Sequence, residues 1–349
     1  MLTKYDMLDA FKLIAALFVI GIHAWPLPDV NSNVILFQGV GRFAVPFFLL
    51  TTGFLLQNRL KNIKEPQNYV FHYLKRLFQF YVAWWVLYLW LTPLKWGGIY
   101  RFEGQQGGQL AKSIFDQYVL NFFSGSTFIG SWYISATIIG IVIVFIMLKR
   151  VPLLIQLMLG VIWLVILLTI LLYGNKFSFI IAILKHVPQI LPAETFLVAV
   201  PFLIFGRIIA QYEELFKKVP ITLLLVIMIG LLPMIAKEIF YWRSTNVTIS
   251  NEQLLFADIL AVDILLIAIN QATLRIQIPS AKWLRNFSSF LYMGQFGLLV
   301  LAPLLSNYFG IAFSKWTIYT VIILLLFLVF EILNILSNNK KMRFIKYLW

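Results

Sequence analysis

Residues Lys12 to Trp25 read KLIAALFVIGIHAW. A lysine and a histidine stand eleven positions apart, with ten uncharged residues between them. At about 100° per residue, eleven steps make three turns plus about 20°, so both side chains lie on one helix face. They are separated by about 16 Å along the axis, too far to touch and well placed to line one passage at two depths.

The rest of the chain says what surrounds that helix. Of 349 residues, 61% are hydrophobic and 12% charged, against about 25% charged in soluble domains. No water-soluble fold hides so much apolar surface, so the length is spent on membrane spans. The 32 Phe, 15 Tyr and 11 Trp suit interfacial belts and lipid-facing packing. There is no cysteine, which removes disulfides, thiolate metal sites and cysteine nucleophiles and leaves the compartment undetermined. A net charge of +14 would point to nucleic acid in a soluble chain. Here the basic residues sit mostly in loops, so topology and anionic headgroups account for them, and no nucleic-acid partner is expected. The first apolar run lacks a small-residue cleavage site after it and reads as a retained span.

The expected fold class is all-α: a polytopic transmembrane bundle forming a single domain over 1–349. Spans are expected near 8–27, 34–57, 76–95, 129–148, 153–173, 192–211, 220–241, 254–273, 284–306 and 314–337, each close to the roughly 20 residues a crossing helix needs. The weakest are the third, which ends on Lys95, and the eighth, which contains Asp258 and Asp263. Lysines and arginines concentrate in alternate connections, such as Arg59–Arg76, Lys149–Arg150, Lys217–Lys218 and Lys340–Lys346. That asymmetry places both termini in the cytoplasm and is consistent with an even span count. Residues 58–75 look amphipathic and basic, as an interfacial stretch before the third span. The long connection 96–128 is external, with a short interfacial helix expected in LAKSIFDQYVLNFF (110–123); it is either a lid over an acceptor or a plain flexible loop.

Charges inside spans are costly and tend to mark pathways or sites. Lys12 lies near the inner end of span 1 and His23 near its outer end. Lys12 either serves a site or snorkels to headgroups and pairs with Asp9 one turn earlier. Imidazole titrates near neutral pH and is a common general base, which favours a functional His23 over a packing one. Arg42, in GVGRFAVPFFLLTTGFLL (39–56), sits below the outer face and needs a partner; Pro46 beyond it frees a carbonyl and kinks the helix. Thr51, Thr52 and Gly53 suit close helix packing. Glu194 opens span 6 and either complements a helix dipole or takes part in a site. Ser131, Trp132 and Tyr133 open span 4, as site residues or as an aromatic belt. Asp258 and Asp263 either bind a ligand or neutralise Arg42, and Glu331 snorkels or pairs with a basic loop. His72 and His186 read as ordinary surface residues, and no metal cluster is expected.

At these residues the chain resembles the integral-membrane acyltransferases of family 3. The marks are the spacing Lys12 to His23, the segment GRFAVPFFLLTTGF from Gly41 to Phe54, SWYISA from Ser131 to Ala136, and PFLIFGR from Pro201 to Arg207. Three positions depart from the family pattern. Lysine stands at 12 for the usual arginine, Gln295 stands where a late histidine follows Ser288 and Tyr292, and Ala193 and Glu194 replace an arginine before span 6. The resemblance implies transfer of an acyl group, most often acetyl, from cytoplasmic acyl-CoA (acetyl-CoA) to a hydroxyl of an extracytoplasmic cell-envelope glycan. Some relatives use other acceptors, and similar membrane domains are fused to amino-acid racemases. On this expectation His23 is the general base or a transient acyl carrier, and Arg42 stabilises the thioester oxyanion and helps bind the donor. Lys12 attracts donor phosphates, Glu194 or Asp258 orients His23 or binds acceptor, and Trp132 and Tyr133 contact acceptor. The rivals are a polytopic transporter and a non-catalytic membrane partner of envelope synthesis; no inverted repeat supports the first.

Overall fold

The computed structural model describes residues 5–124, 132–186, 191–270, 281–310 and 312–349, and no strand occurs among them. Seven helices in the described residues are long and apolar enough to cross a membrane. They are α1 (Asp6–Ala24), α2 (Val30–Leu60), α6 (Trp132–Arg150), α7 (Leu153–Lys176), α10 (Ile221–Arg243), α12 (Ala281–Phe309) and α13 (Lys315–Leu336). Between them run α3 (Pro66–Leu87), α4 (Leu91–Phe102), α5 (Gly107–Ser124), α8 (Ser178–His186), α9 (Phe196–Gln211) and α11 (Leu255–Ile269). The three expected spans outside the seven are shorter or more polar helices. The sixth is α9, 16 residues, and the eighth is α11, 15 residues; of its expected range, 271–273 lie outside the described residues.

The third span differs most from expectation. No break separates an interfacial stretch from a span at residue 76: α3 starts with Pro66 in its first turn, where a missing N–H costs nothing, and runs unbroken to Leu87. The connection that follows holds two helices, α4 and α5, joined through Gly104 and Gly107 at φ +84° and +53°. Only glycine takes such angles freely, which permits the tight reversal.

Local chemistry sets the other ends. Trp25 closes α1 in the left-handed region, its N–H bonded to Gly21 O, and Pro26 follows. Asp29 caps α2 by accepting from Ser32 N at 2.6 Å, and those bonds hold its carboxyl below the usual range. Thr195 caps α9 and Ser314 caps α13 in the same way.

The paired helices α2 and α9 form the centre. At Gly53 an added Cβ would lie 2.4 Å from Leu203 O, and at Gly206 one would lie 2.1 Å from Leu50 O. These two glycines, one in each sequence motif, let the two backbones touch. Phe47, Leu50, Phe54, Phe202 and Leu203 fill the space around the crossing and are fully buried. Pro201 has no N–H for Leu197 O, and the Trp163 indole of α7 donates to that carbonyl at 3.0 Å instead. The outer helices are apolar towards the surroundings: Leu154 on α7 is 69% exposed, Val226 on α10 66%, Ile335 on α13 68%. Such a continuous apolar belt fits lipid and not water.

Side-chain contacts fix which ends lie together. Tyr5, Asn58 and Glu213 meet, Asp9 meets Arg285, and Lys61 caps the end of α9 at Ala210 O. One end of the bundle therefore gathers the start of α1, the ends of α2 and α9 and the start of α12. It is called the basic end below. At the far end, Ile249 N bonds Leu171 O at 2.7 Å and Lys315 lies over the Trp25 ring.

Candidate functional site

The site begins with a change of winding in α2. Residues Val34–Gly39 form π-helix and Val40–Phe43 form 3₁₀-helix before α-helix resumes at Ala44. Both are wound differently from an α-helix, and π segments often occur at functional positions. Gln38 and Arg42 stand within this section. Gln38, buried, donates to Ile22 O at 2.8 Å, and Arg42 Nη2 donates to Gln38 Oε1 at 2.7 Å. Arg42 Nε is buried without a hydrogen-bond partner. The charges that bear on Arg42 are Glu252 and then Glu194, both half-buried.

His23 stands on the last turn of α1, exposed, with its ring 5.4 Å from that of Phe296 in an edge-to-face contact. The Arg42 charge acts on it. Phe296 in turn lies 6.0 Å from Tyr292, Tyr292 lies 5.4 Å from Tyr133, and both tyrosines pack on Phe48. Glu194 also bears on Tyr292. The structure thus brings His23, Arg42, Glu194 and Tyr133 to one polar and aromatic seam. Tyr133 makes ring contacts with Phe48 and Tyr292 within this seam.

Trp132 is half-buried beside it, its carbonyl accepting from Ser135 Oγ at 3.0 Å. Ser131 lies outside the described residues, as does the side chain of His186. His72 is exposed, with Nδ1 2.8 Å from Asn68 O.

Lys12 lies about 16 Å along α1 from His23. It lies 3.6 Å from Asp9 Oδ1, whose other oxygen lies 3.5 Å from Arg285 Nη1. Asp258 sits in the first turn of α11 and accepts from Gln253, with its second oxygen unpartnered. The charge bearing on it is Glu238, which accepts from Leu255 N and Phe256 N at the same helix start. Neither Asp258 nor Asp263 is among the groups whose charge acts on Arg42. Among the described residues Glu331 accepts from Trp283 Nε1 at 2.6 Å.

Sequence reading passed over Gln38, Glu252 and Phe296. Gln38 carries a signal, since position 38 is one helical turn before Arg42 and able to meet it. Glu252 carries none: it lies in the connection between α10 and α11, which folds inward because Asn175 N and Nδ2 hold Val247 O and Thr248 O.

Among known protein families, one described as an acyltransferase domain matches residues 5–333. Two amino-acid racemases of Enterococcus faecalis are similar over part of the chain. One is 28% identical over 151 residues, 42% of this chain and 19% of that protein. The other is 31% identical over 148 residues, 41% of this chain and 20% of that protein. The matched stretch is therefore about a fifth of the length of these curated relatives. No solved structure matches the chain.

Proposed function

The chain belongs to this acyltransferase family, and on that premise we propose that it moves an acyl group, acetyl in the simplest case, from acyl-CoA to a hydroxyl of a cell-envelope carbohydrate. The observation that carries the reading is that the Arg42 charge acts on His23 at the far end of the bundle, with a run of aromatic contacts through Phe296, Tyr292 and Tyr133 leading away from His23. The excess of lysine and arginine at the basic end orients it to the cytoplasm of the cell membrane. The donor then enters from that side and the acceptor from the other.

In this mechanism the acceptor hydroxyl lies against the exposed His23 imidazole, which takes its proton as the oxygen attacks the thioester carbon. The oxygen–carbon bond forms, the carbon–sulfur bond breaks, and the proton passes from His23 to the leaving thiolate. If His23 carries the acyl group first, the same atoms balance over two steps. Arg42 stabilises the oxyanion. Its guanidinium is held by the neutral Gln38, with Glu252 and Glu194 acting on it as charges, so it keeps donor capacity for a substrate oxygen. The Lys12–Asp9–Arg285 cluster supplies excess positive charge near the basic end for the donor phosphates. Glu194 orients the His23–Arg42 pair, while Tyr133, Trp132 and Asp258 contact the acceptor.

The reading is tested with His23→Ala and His23→Gln expressed at parental level in a deletion strain. Mass spectrometry of envelope glycans should show the acyl mass with the parent and none above background with either variant. Full acylation with His23→Ala would remove His23 from the mechanism. An unchanged glycan together with altered solute uptake on deletion would replace the enzyme with a transporter.

A further inference from the structure

Beyond the end of α13 at Leu336 the chain turns back along the bundle. Asn339 caps a nine-residue 3₁₀ segment, Lys340–Leu348, by accepting from Lys341 N at 3.0 Å. Runs of 3₁₀-helix beyond three or four residues are uncommon, and their three-residue turn stacks side chains i and i+3 in straight rows. KKMRFIKYL therefore sorts into three rows. Met342, Ile345 and Leu348 form the row turned to the protein: Ile345 is buried and the other two are half-buried. The Leu348 carbonyl accepts from Trp84 Nε1 of α3 at 3.1 Å, and the next residue, Trp349, packs edge-on against Phe330 of α13 and Phe290 of α12. Phe330 stands six residues before Leu336, so the segment is seated within about 9 Å of the end of α13. Lys340, Arg343 and Lys346 form the second row, all exposed, with successive positions about 6 Å apart. Lys341, Phe344 and Tyr347 form the third, also exposed. No Asp or Glu follows Glu331 in the sequence. Among the described residues no carboxylate pairs with any of these four cations.

We infer that the outer rows of Lys340–Leu348 are a docking surface for the headgroups of anionic phospholipids. Like charges stacked in a row repel one another, and phosphates seated between them turn that repulsion into attraction. The aromatic row selects lipid over a soluble anion. Phe344 is 61% exposed beside the cations, and aromatic rings of this kind settle at the level of the headgroups. The exposed Ile332 and Ile335 on the last turns of α13 lead directly to the segment, so the apolar belt of the bundle runs up to it without a gap. The inner row and Trp349 fix the segment to three helices, so the bound headgroups hold the bundle itself rather than a free strand. This role lies outside the proposed acyl transfer and does not depend on it.

The chain contains no cysteine, so Asn338→Cys, exposed just before the segment, carries a single environment-sensitive fluorophore. The full chain in detergent micelles is titrated with short-chain phosphatidylglycerol, with phosphatidylcholine of the same chain length, with inorganic phosphate and with polyglutamate. Phosphatidylglycerol should give a saturable signal that weakens with added salt, and the other three should give none at the same concentrations. Lys340→Gln, Arg343→Gln and Lys346→Gln should each weaken binding about fivefold, the loss of one cation at an anionic surface. Phe344→Ala should weaken it too, and Lys346→Arg should bind like the parent. These side chains are exposed, so the variants should keep the parental thermal midpoint; should one of them fail to fold, the other variants and the salt dependence of the parent decide. A fluorophore on Tyr308→Cys, exposed at the far end, should stay silent. Unchanged affinity in the glutamine variants would overturn the inference. An equal signal from phosphatidylcholine, or from the label at position 308, would overturn it as unspecific lipid uptake. Saturation by inorganic phosphate or polyglutamate would overturn it by making the surface a site for a soluble anion. Because binding needs no turnover, this result stands apart from the His23 test of the reaction.

Discussion

The two ends of the bundle both hold buried charge and treat it in opposite ways. At the basic end, Glu213 accepts from Tyr5 Oη at 2.9 Å and from Asn58 Nδ2 at 3.0 Å, and lies 2.6 Å from Lys217. Burial and the Glu213 carboxylate push the Tyr5 hydroxyl well up, so it stays a donor. Tyr5, Asn58, Glu213 and Lys217 each have a protein partner there at short range, and three separate stretches of chain are joined by them. At the far end, among the described residues, Arg42 donates to the neutral Gln38, its Nε is without a partner, and Glu252 and Glu194 act on it as charges. His23 is exposed beside it with an aromatic edge for company. A satisfied cluster stabilises a fold and has nothing left to offer a ligand; an incompletely satisfied one costs stability and keeps its capacity for chemistry. Charge burial alone does not separate stitching from function. Satisfaction does.

The contrast is sharpest under substitution, and Arg42 carries the largest expected effect. Arg42→Lys keeps the charge and removes the planar fork, so acyl transfer should fall by about 10²–10³, while the thermal midpoint of the purified protein moves little. A variant with near-parental transfer would show that the far end works as a structural cluster after all. Next comes the crossing between the two ends. Gly206→Val places a branched side chain where Cβ alone would lie 2.1 Å from Leu50 O, and the folded yield and thermal midpoint should drop, with destabilisation of at least ~2–3 kcal/mol. Smallest is Glu213→Gln at the basic end. It should cost about 1–3 kcal/mol of stability and leave the transfer rate per folded molecule close to the parent. Losing activity without losing stability there would erase the distinction between the ends.

Much of this was legible from one dimension. The apolar runs fall where the helices fall, because a bilayer forces backbone groups to pair within each segment and so ties span length to composition. The eleven-residue spacing of Lys12 and His23 was readable as a shared helix face, and Arg42 as a charge that snorkelling does not explain. Gly53 was readable as packing, and its counterpart Gly206 lay within a second motif. Other features were not readable. The break at 76 was expected because local polarity changes there, but helix continuation depends on the absence of a breaker, and none occurs before Leu87. The winding change over 34–43 leaves no mark in hydropathy.

The sequence by itself determined that this is a helical membrane protein and which side chains stand as charges inside it, since hydrophobic length and helical period are properties of local order. Only the tertiary structure decided which of those charges are answered. Glu252 reaches the surroundings of Arg42 from a connection more than two hundred residues away in the chain. Asp258 is drawn aside to Gln253 and Glu238, and Lys12 is answered by Asp9, which Arg285 of another helix also holds. Partnership within hydrogen-bond reach is set by how helices cross, and crossing is fixed by close backbone approaches such as that of Gly53 and Gly206, which no single segment encodes.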